Sequence, residues 1–376
     1  ELPSVAERLP LDPALVSFDQ PDFSPGEHGG ELRILMGKAK DIRMMMVYGY
    51  ARLVGYNQAL EIEPDLLRDI EVEDSRIFTL HLREGHKWSD GHPFTSEDFR
   101  YYWEDIANDS ELSPFGPPKL LMVKGDPPTV EILDELTVRY TWARPNPNFL
   151  PALAGARPLF IYRPAHYLKQ FHGKYTPVES IQAVIDKTGT RNWAGLHHRM
   201  DHPYKSDNPD LPVLQPWQDV TPPPADRFVF ERNPFYHRVD INGRQLPYID
   251  RVVVNIADNK LVPAKAGAGD TDLQGRYLRF DNYTFLKASE ERNDYQVRLW
   301  RTARGSQIAL YPNLNVTDPV WRELVRDVRF RRALSLAIDR VEINEVVYYG
   351  LANVASNMVL PESPLFREEY RDAWAQ

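Results

Sequence analysis

The side chains able to make or break bonds are few in kind and scattered in placement. None of the 376 residues is cysteine, which excludes thiolate catalysis, disulfides and cysteine–zinc sites. Among the ten histidines the densest grouping is His197, His198 and His202, with Asp201 between them. His198 and His202 stand four apart, a spacing that would aim two imidazoles at one metal if the segment were helical. Pro203 and a loop-rich context argue against that, and no metal is expected. His81, His86 and His92 fall on a strand, a turn and a pre-helix segment, where hydrogen bonding is the ordinary role. Glu97–Asp98 and Glu104–Asp105 are neighbours in sequence, so on a helix they diverge and cap or solvate it instead of forming a glycosidase pair. No G-x-S-x-G, H-E-x-x-H, Walker loop or G-x-G-x-x-G occurs, and Gly29-Gly30 and Gly37-Lys38 read as plain turns. The expectation is a protein that is not an enzyme and carries no cofactor.

Aromatic residues are the more plentiful resource, with 19 tyrosines, 16 phenylalanines and 8 tryptophans offering stiff contact area for sugars or peptides. Most must serve the core. They concentrate in LREGHKWSDGHPFTSEDFRYYW, from Leu82 to Trp103. Asp90-Gly91 is a turn dipeptide, Pro93 keeps the chain extended, and Thr95 with Asp98 forms a capping pair. A helix from Ser96 to about Ala107 then carries Phe99, Tyr102, Trp103 and Ile106 at helical spacing, and Tyr101 falls off that stripe.

Other elements frame this corner. Glu31–Met36, Arg76–Arg83 and Leu136–Trp142 read as strands, the last two by alternation of apolar residues. FVFERNPFYHRVDINGRQLPYIDRVVVNIA holds two more, with turns at Asn233-Pro234 and Asn242-Gly243. The lead-in through Gly30 reads as an extended arm, and 187–226 as long, proline-rich surface connections anchored by Leu211, Val213, Leu214 and Trp217. Late in the chain, Phe330, Ala333, Leu334, Ala337, Ile338 and Val341 follow helical spacing. Asp327 caps that helix, a break is expected near Asp339, and Gly350 closes the next one.

The totals set bounds. A chain this long calls for two or three domains. Hydrophobic content of 42% and charged content of 26% are those of a globular protein. The net charge of −9 argues against nucleic acid or an anionic membrane as partner. No apolar run approaches the ~20 residues of a membrane helix. A start at Glu1 without methionine fits removal of a signal peptide, and without an N-terminal cysteine no lipoprotein-type anchor is expected there.

Taken in order, the segments resemble the family 5 extracellular solute-binding proteins, the oligopeptide- and dipeptide-binding components of bacterial ABC importers. The matching stretches are Leu82-Arg83-Glu84-Gly85, then Trp88 to Asp98 (WSDGHPFTSED), RNPFY with LPYIDRVV between Arg232 and Val253, and Gly269 to Asp272. DVRFRRALSLAIDR from Asp327 to Arg340 and the Gly350-Leu351-Ala352 ending, followed by Pro361, complete the set. Two departures stand out. The G-T-G-P-[Y/F] element of the family is replaced by VLQPWQDV, from Val213 to Val220, and the chain ends well before the family's usual terminus.

The resemblance implies an α/β fold of the periplasmic-binding-protein type II class, two hinged lobes with an extra inserted domain. Residues 1–50 and 156–305 would build the first lobe, 51–155 the inserted domain, and 306–376 an incomplete second lobe. It implies a periplasmic monomer that closes on an oligopeptide or, as the alternative, a β-linked oligosaccharide, and presents it to a membrane permease; a secreted hydrolase is the remote third reading. The residues expected at the ligand are Tyr50 and Arg52 after the first strand, Tyr101, Trp217 in the atypical loop, and Arg304, Gln307 and Tyr311 near the second lobe. For each the ordinary alternative is core packing or a solvated surface.

Overall fold

The computed structural model describes residues 2–16, 24–205, 208–300, 308–354, 359–361, 363 and 365–370. They belong to two compact units, residues 1–266 with 270–277, and residues 267–269 with 278–376.

The first unit is built on a four-stranded mixed sheet. Glu31–Met36 runs parallel to Arg251–Ile256, with Leu32 opposite Val252 and Ile34 opposite Val254. A parallel pair needs a long crossover, and here the crossover contains most of the unit. Arg227–Arg232 pairs antiparallel on the other side of Arg251–Ile256, and Trp217–Asp219 pairs antiparallel with it in turn, Trp217 opposite Arg232. Period-two alternation puts Ile34, Met36, Phe228, Phe230, Val252 and Val254 on one face, where they pack with Ile42 and Met45.

The edge of this sheet at Glu31–Met36 is covered by residues 271–276. Asp272 N donates to Arg33 O at 2.9 Å and Arg33 N donates to Asp272 Oδ2 at 2.7 Å. The Gln274 side-chain amide then imitates a peptide group, accepting from Leu35 N at 2.9 Å and donating to Leu35 O at 3.0 Å.

A second, antiparallel sheet has the order Leu67–Glu73, Ile77–Leu82, Thr137–Thr141, Thr129–Asp134. Its first hairpin turns through Asp74 and Ser75, both at positive φ (53° and 52°), the twist a tight hairpin needs. Phe78, Leu80, Leu82, Val138 and Tyr140 are buried, and Trp142 and Phe149 meet Phe78 edge-on. One hydrophobic core runs from this sheet through Ile161, Leu168, Ile185 and Leu196 to Leu214 and Tyr236.

The helix after the Asp90-Gly91 turn starts as the sequence implies: Thr95 and Asp98 form a capping box. It is α-helical only over Ser96–Arg100 and continues as a π-helix over Tyr101–Ala107, with Asn108 N bonding to Trp103 O five residues back. The wider turn changes which residues share a face. Tyr101 and Tyr102 are both buried, and Trp103 lies only partly against the core. The expectation that Tyr101 points away from the core is therefore corrected.

Two irregular stretches hold more structure than their composition suggests. The lead-in contains a helix, Val5–Arg8, with a capping box from Ser4, and a strand, Ala14–Leu15, parallel to Arg238–Val239. Within 187–226 lies the helix Trp193–Met200, whose start is fixed by the Asn192 side chain accepting from Gly195 N at 2.9 Å.

In the second unit, Asp318, Asp327 and Asp339 each cap a helix: Pro319–Arg326, Val328–Leu336 and Arg340–Tyr348. The break at Asp339 and the closing Gly350, at φ 71°, fall where the sequence places them. The apolar stripe is less covered than its spacing predicts: Phe330, Leu334 and Ile338 are half-buried and Val341 is exposed.

Candidate functional site

In the first unit the chain leaving Glu31–Met36 forms a 3-10 turn, Ala39–Arg43, and a short helix, Met44–Gly49. That helix ends against the loop before Trp217. A Cβ on Gly49 would stand 2.8 Å from Pro216 Cδ, so only glycine permits the approach. Gln215 locks the loop by donating from Nε2 to Ala51 O at 3.1 Å, and Asn233 Nδ2 donates to Gln215 O at 3.0 Å. Between these segments lies a small cleft, lined by Ile42, Arg43, Met45 and Met46, by Tyr204 and Lys205, and by Trp217, Gln218, Asp219 and Phe230.

Polar donors on this wall are directed at its own backbone. Trp217 Nε1 donates to Ile249 O at 3.0 Å, and Gln218 Nε2 to Pro209 O at 2.9 Å. Asp219 is different. Its Oδ1 accepts from Thr221 N at 3.0 Å, while its Oδ2 is buried and has no hydrogen-bond partner among the described residues. Burial, only partly offset by the Thr221 hydrogen bond, pushes the Asp219 carboxyl up to about 6. The cleft is thus lined by aromatic, thioether and cationic side chains, with a carboxylate whose second oxygen is buried behind the surface, a set suited to noncovalent contact.

Of the residues expected at a ligand, Trp217 lines this cleft. Tyr50 does not; it sits at φ 43° with its hydroxyl donating to Ala154 O at 2.7 Å and accepting from Tyr56 N at 3.1 Å. Arg52 is 1% exposed, and its guanidinium donates to the carbonyls of Ala51, Met46, Ala156 and Gly155 at 2.9 to 3.1 Å. It braces four backbone carbonyls and is neither a cleft residue nor a solvated one. Tyr101 is fully buried and shares a 2.7 Å hydrogen bond with His197 Nε2. Tyr311, in the second unit, is 76% exposed, and Arg304 and Gln307 lie outside the described residues.

The histidine cluster disperses. His197 and His198 are on a helix that ends at Met200; His197 turns into the core, where burial lowers it to about 3, and His198 Nε2 bonds to Leu112 O at 2.9 Å. Among the described residues no group of three or more histidine or acidic side chains could hold a metal. No helix there is long and apolar enough to cross a membrane. What sequence reasoning missed is Asp219 and the Ile42–Met46 wall. The signal for Asp219 was at hand, since it belongs to the VLQPWQDV stretch that departs from the family pattern.

Comparison with known proteins adds identity to this geometry. The family model described as bacterial extracellular solute-binding proteins, family 5 Middle, matches residues 61–376. The periplasmic alpha-galactoside-binding protein of Rhizobium meliloti is 29% identical over 93% of this chain and 52% of its own length. A solved oligopeptide-binding protein OppA superposes with a TM-score of 0.83 at 34% identity, over 100% of this chain and 59% of that one. The binding protein MelB of Agrobacterium fabrum, solved in complex with stachyose, gives 0.64 at 26% identity over 94% of this chain and 54% of its own. The chain spans about half the length of the curated relatives it matches. Its mixed α/β architecture is that of the OppA-like binding proteins, and the chain belongs to the bacterial extracellular solute-binding proteins of family 5.

Proposed function

We propose that this chain is part of an extracytoplasmic solute-binding protein that captures an oligomeric ligand, peptide or oligosaccharide, and delivers it to an ABC import permease without chemical change. The observation that carries this reading is the cleft at Trp217 and Asp219 in a chain of this family, with aromatic, thioether and cationic side chains around it. Residues 1–50 and 156–305 make one lobe in this reading, 51–155 an inserted domain, and residues from 306 the beginning of a second lobe. Arg304, Gln307 and Tyr311 are proposed ligand contacts near the hinge crossing between the two lobes. Closure of two lobes gains free energy only from contacts that the ligand makes with both at once.

Peptide is supported by the 34% identity to a protein named for oligopeptide binding. Oligosaccharide is supported by the alpha-galactoside-binding relative and by a stacking residue beside an acceptor in the cleft. Thermal-shift titration of the full-length protein with tri- to pentapeptides, and with stachyose and cellotetraose, tests the reading. A ligand that binds only the folded state raises the melting temperature with concentration. A protein stabilised by none of them is not a solute-capture protein of this kind.

A further inference from the structure

We propose that Asn242-Gly243 is a site of covalent self-modification: the Gly243 backbone nitrogen closes on the Asn242 side chain, ammonia leaves, and hydrolysis of the ring deposits an isoaspartate at the tip of the hairpin that receives the strand Ala14–Leu15. The proposal is independent of what the protein captures.

Asn242 is the one asparagine in the sequence that precedes a glycine. Attack by a main-chain nitrogen on the side chain before it is obstructed by a Cβ on the attacking residue, and glycine has none. The structure adds three observations to the dipeptide. Ile241, Asn242 and Gly243 form the three-residue loop of a hairpin, with Gly243 at φ 74° and all three exposed. Nothing lies within 4 Å of where a Gly243 Cβ would stand. Asn242 donates its backbone N–H to Asp240 Oδ1 at 2.8 Å, and its carboxamide has no hydrogen-bond partner among the described residues.

The other residue able to close a five-membered ring onto a following glycine is Asp90, and its surroundings differ. Its carboxylate is held by His166 Nε2 at 2.7 Å and by His92 N at 3.1 Å. A Cβ on Gly91 would stand 3.0 Å from Phe235 Cζ, so that turn is packed where the Gly243 tip is open.

The chemistry balances without a redox partner. Base takes the proton from Gly243 N, and the nitrogen forms a bond to the Asn242 side-chain carbonyl carbon. The bond from that carbon to the amide nitrogen breaks as ammonia departs. Water then opens the ring at either carbonyl: at the former side-chain carbon it leaves aspartate, at the main-chain carbon isoaspartate. One restraint opposes ring closure, the hydrogen bond from Gly243 N to Asp240 O at 2.9 Å. It sits at an exposed tip, where local opening is least costly.

Isoaspartate adds one carbon to the main chain of a loop that is tightly fastened at its base. Asp240 is fully buried and accepts at Oδ1 from the N–H groups of Asn242 and Arg244, and at Oδ2 from the Tyr248 hydroxyl. Leu246 N donates to Arg238 O at 2.9 Å, beside the pairing of Ala14–Leu15 with Arg238–Val239. A longer loop with a new carboxylate next to Asp240 loosens that fastening.

The test is peptide mapping by mass spectrometry of the full-length protein after incubation at pH 8.5 and at pH 5. The peptide carrying Asn242 is expected to gain one mass unit, as a mixture of isoaspartate and aspartate, severalfold faster at pH 8.5. Asn146, Asn208 and Asn233 precede prolines, whose nitrogen has no proton to lose, and serve as unmodified controls. Gly243→Ala is expected to slow the gain about fivefold or more. Should strain at the positive φ open the hairpin in that variant, Asn242→Gln, which would have to close a six-membered ring, is expected to stop it. In the modified fraction, amide hydrogens over 242–246 are expected to exchange faster than in the unmodified one. No gain at Asn242 at pH 8.5, or a gain as aspartate alone, overturns the proposal.

Discussion

Asp98 and Asp219 are both pushed up to about 6 by burial, yet their surroundings are opposites. Asp98 accepts from Ala165 N at 3.0 Å, and from Thr95 N and Trp88 Nε1 at 3.1 Å. Around it Trp88, Phe94, Phe99 and Tyr162 meet at ring separations of 5.2 to 6.0 Å. Asp219 has one such bond and an open cleft beside it. In the corner, a buried acid is tolerated because the chain has brought every donor it needs. In the cleft, the cost of burial is offset only in part, by the Thr221 hydrogen bond. The comparison separates two kinds of buried carboxylate: one is satisfied on all sides by the chain, the other keeps a single hydrogen bond and one oxygen without a partner among the described residues. The aromatics of the corner, Trp88, Phe94, Phe99 and Tyr162, are all buried and serve packing.

The comparison can be broken first at its structural extreme. Asp65 accepts from Arg52 N, from His237 and twice from Arg238. Burial alone would raise it, but the Arg238 guanidinium and the His237 hydrogen bond outweigh burial and hold the carboxyl well below the usual range. Asp65→Ala strands a buried guanidinium and should cost about 3–5 kcal/mol in urea unfolding. The sign with pH follows from the depressed value. The Asp65 contribution is complete above the unfolded-state value of 3.8 and is lost as pH falls below it. A loss of less than 1 kcal/mol would mean that this hub is not what ties Arg52 and Arg238 to the core.

Asp98→Ala comes next. Removing the cap leaves three donors orphaned, two of them buried, and a loss of about 2–3 kcal/mol is expected by the same measurement. The smallest effect is at the cleft. Asp219→Asn should alter stability at pH 7.5 by no more than about 1 kcal/mol, in the stabilising direction, because it removes a partly exposed charge whose burial disfavours folding. Since the folded value, about 6, lies above the unfolded 3.8, wild type should gain stability relative to the variant as pH falls from 7.5 towards 4. Equal losses at Asp98 and Asp219 would erase the distinction drawn between the two regions.

What could be read from the sequence was what is local. The Asp90-Gly91 turn, the Thr95–Asp98 capping box and the Asp327 and Asp339 caps of the second unit depend on residues within four positions of one another, and all are present. The strands at Ile77–Leu82 and Thr137–Thr141 betray themselves by alternation. Tyr101 was misplaced because helical spacing was counted through a segment that widens to i→i+5 bonding, a change with no simple residue signature. Arg52 was misplaced because its partners are carbonyls, two of them about a hundred residues away and carrying no side-chain signal. Trp217 could be singled out as a departure from the family pattern. The isolation of Asp219 two residues later depends on where Gln218 and Trp217 send their donors, which only the folded loop decides.

The pairing of Gln274 with Leu35 and of Asp272 with Arg33 has a consequence for solution behaviour. A bare outer strand is a template on which a neighbouring copy can zip itself, and here that row of peptide groups is already engaged by side chains of the same polypeptide. Two molecules colliding along Glu31–Met36 would have to peel away an amide mimic before registering a single ladder rung, so oligomer growth in that direction starts from a deficit.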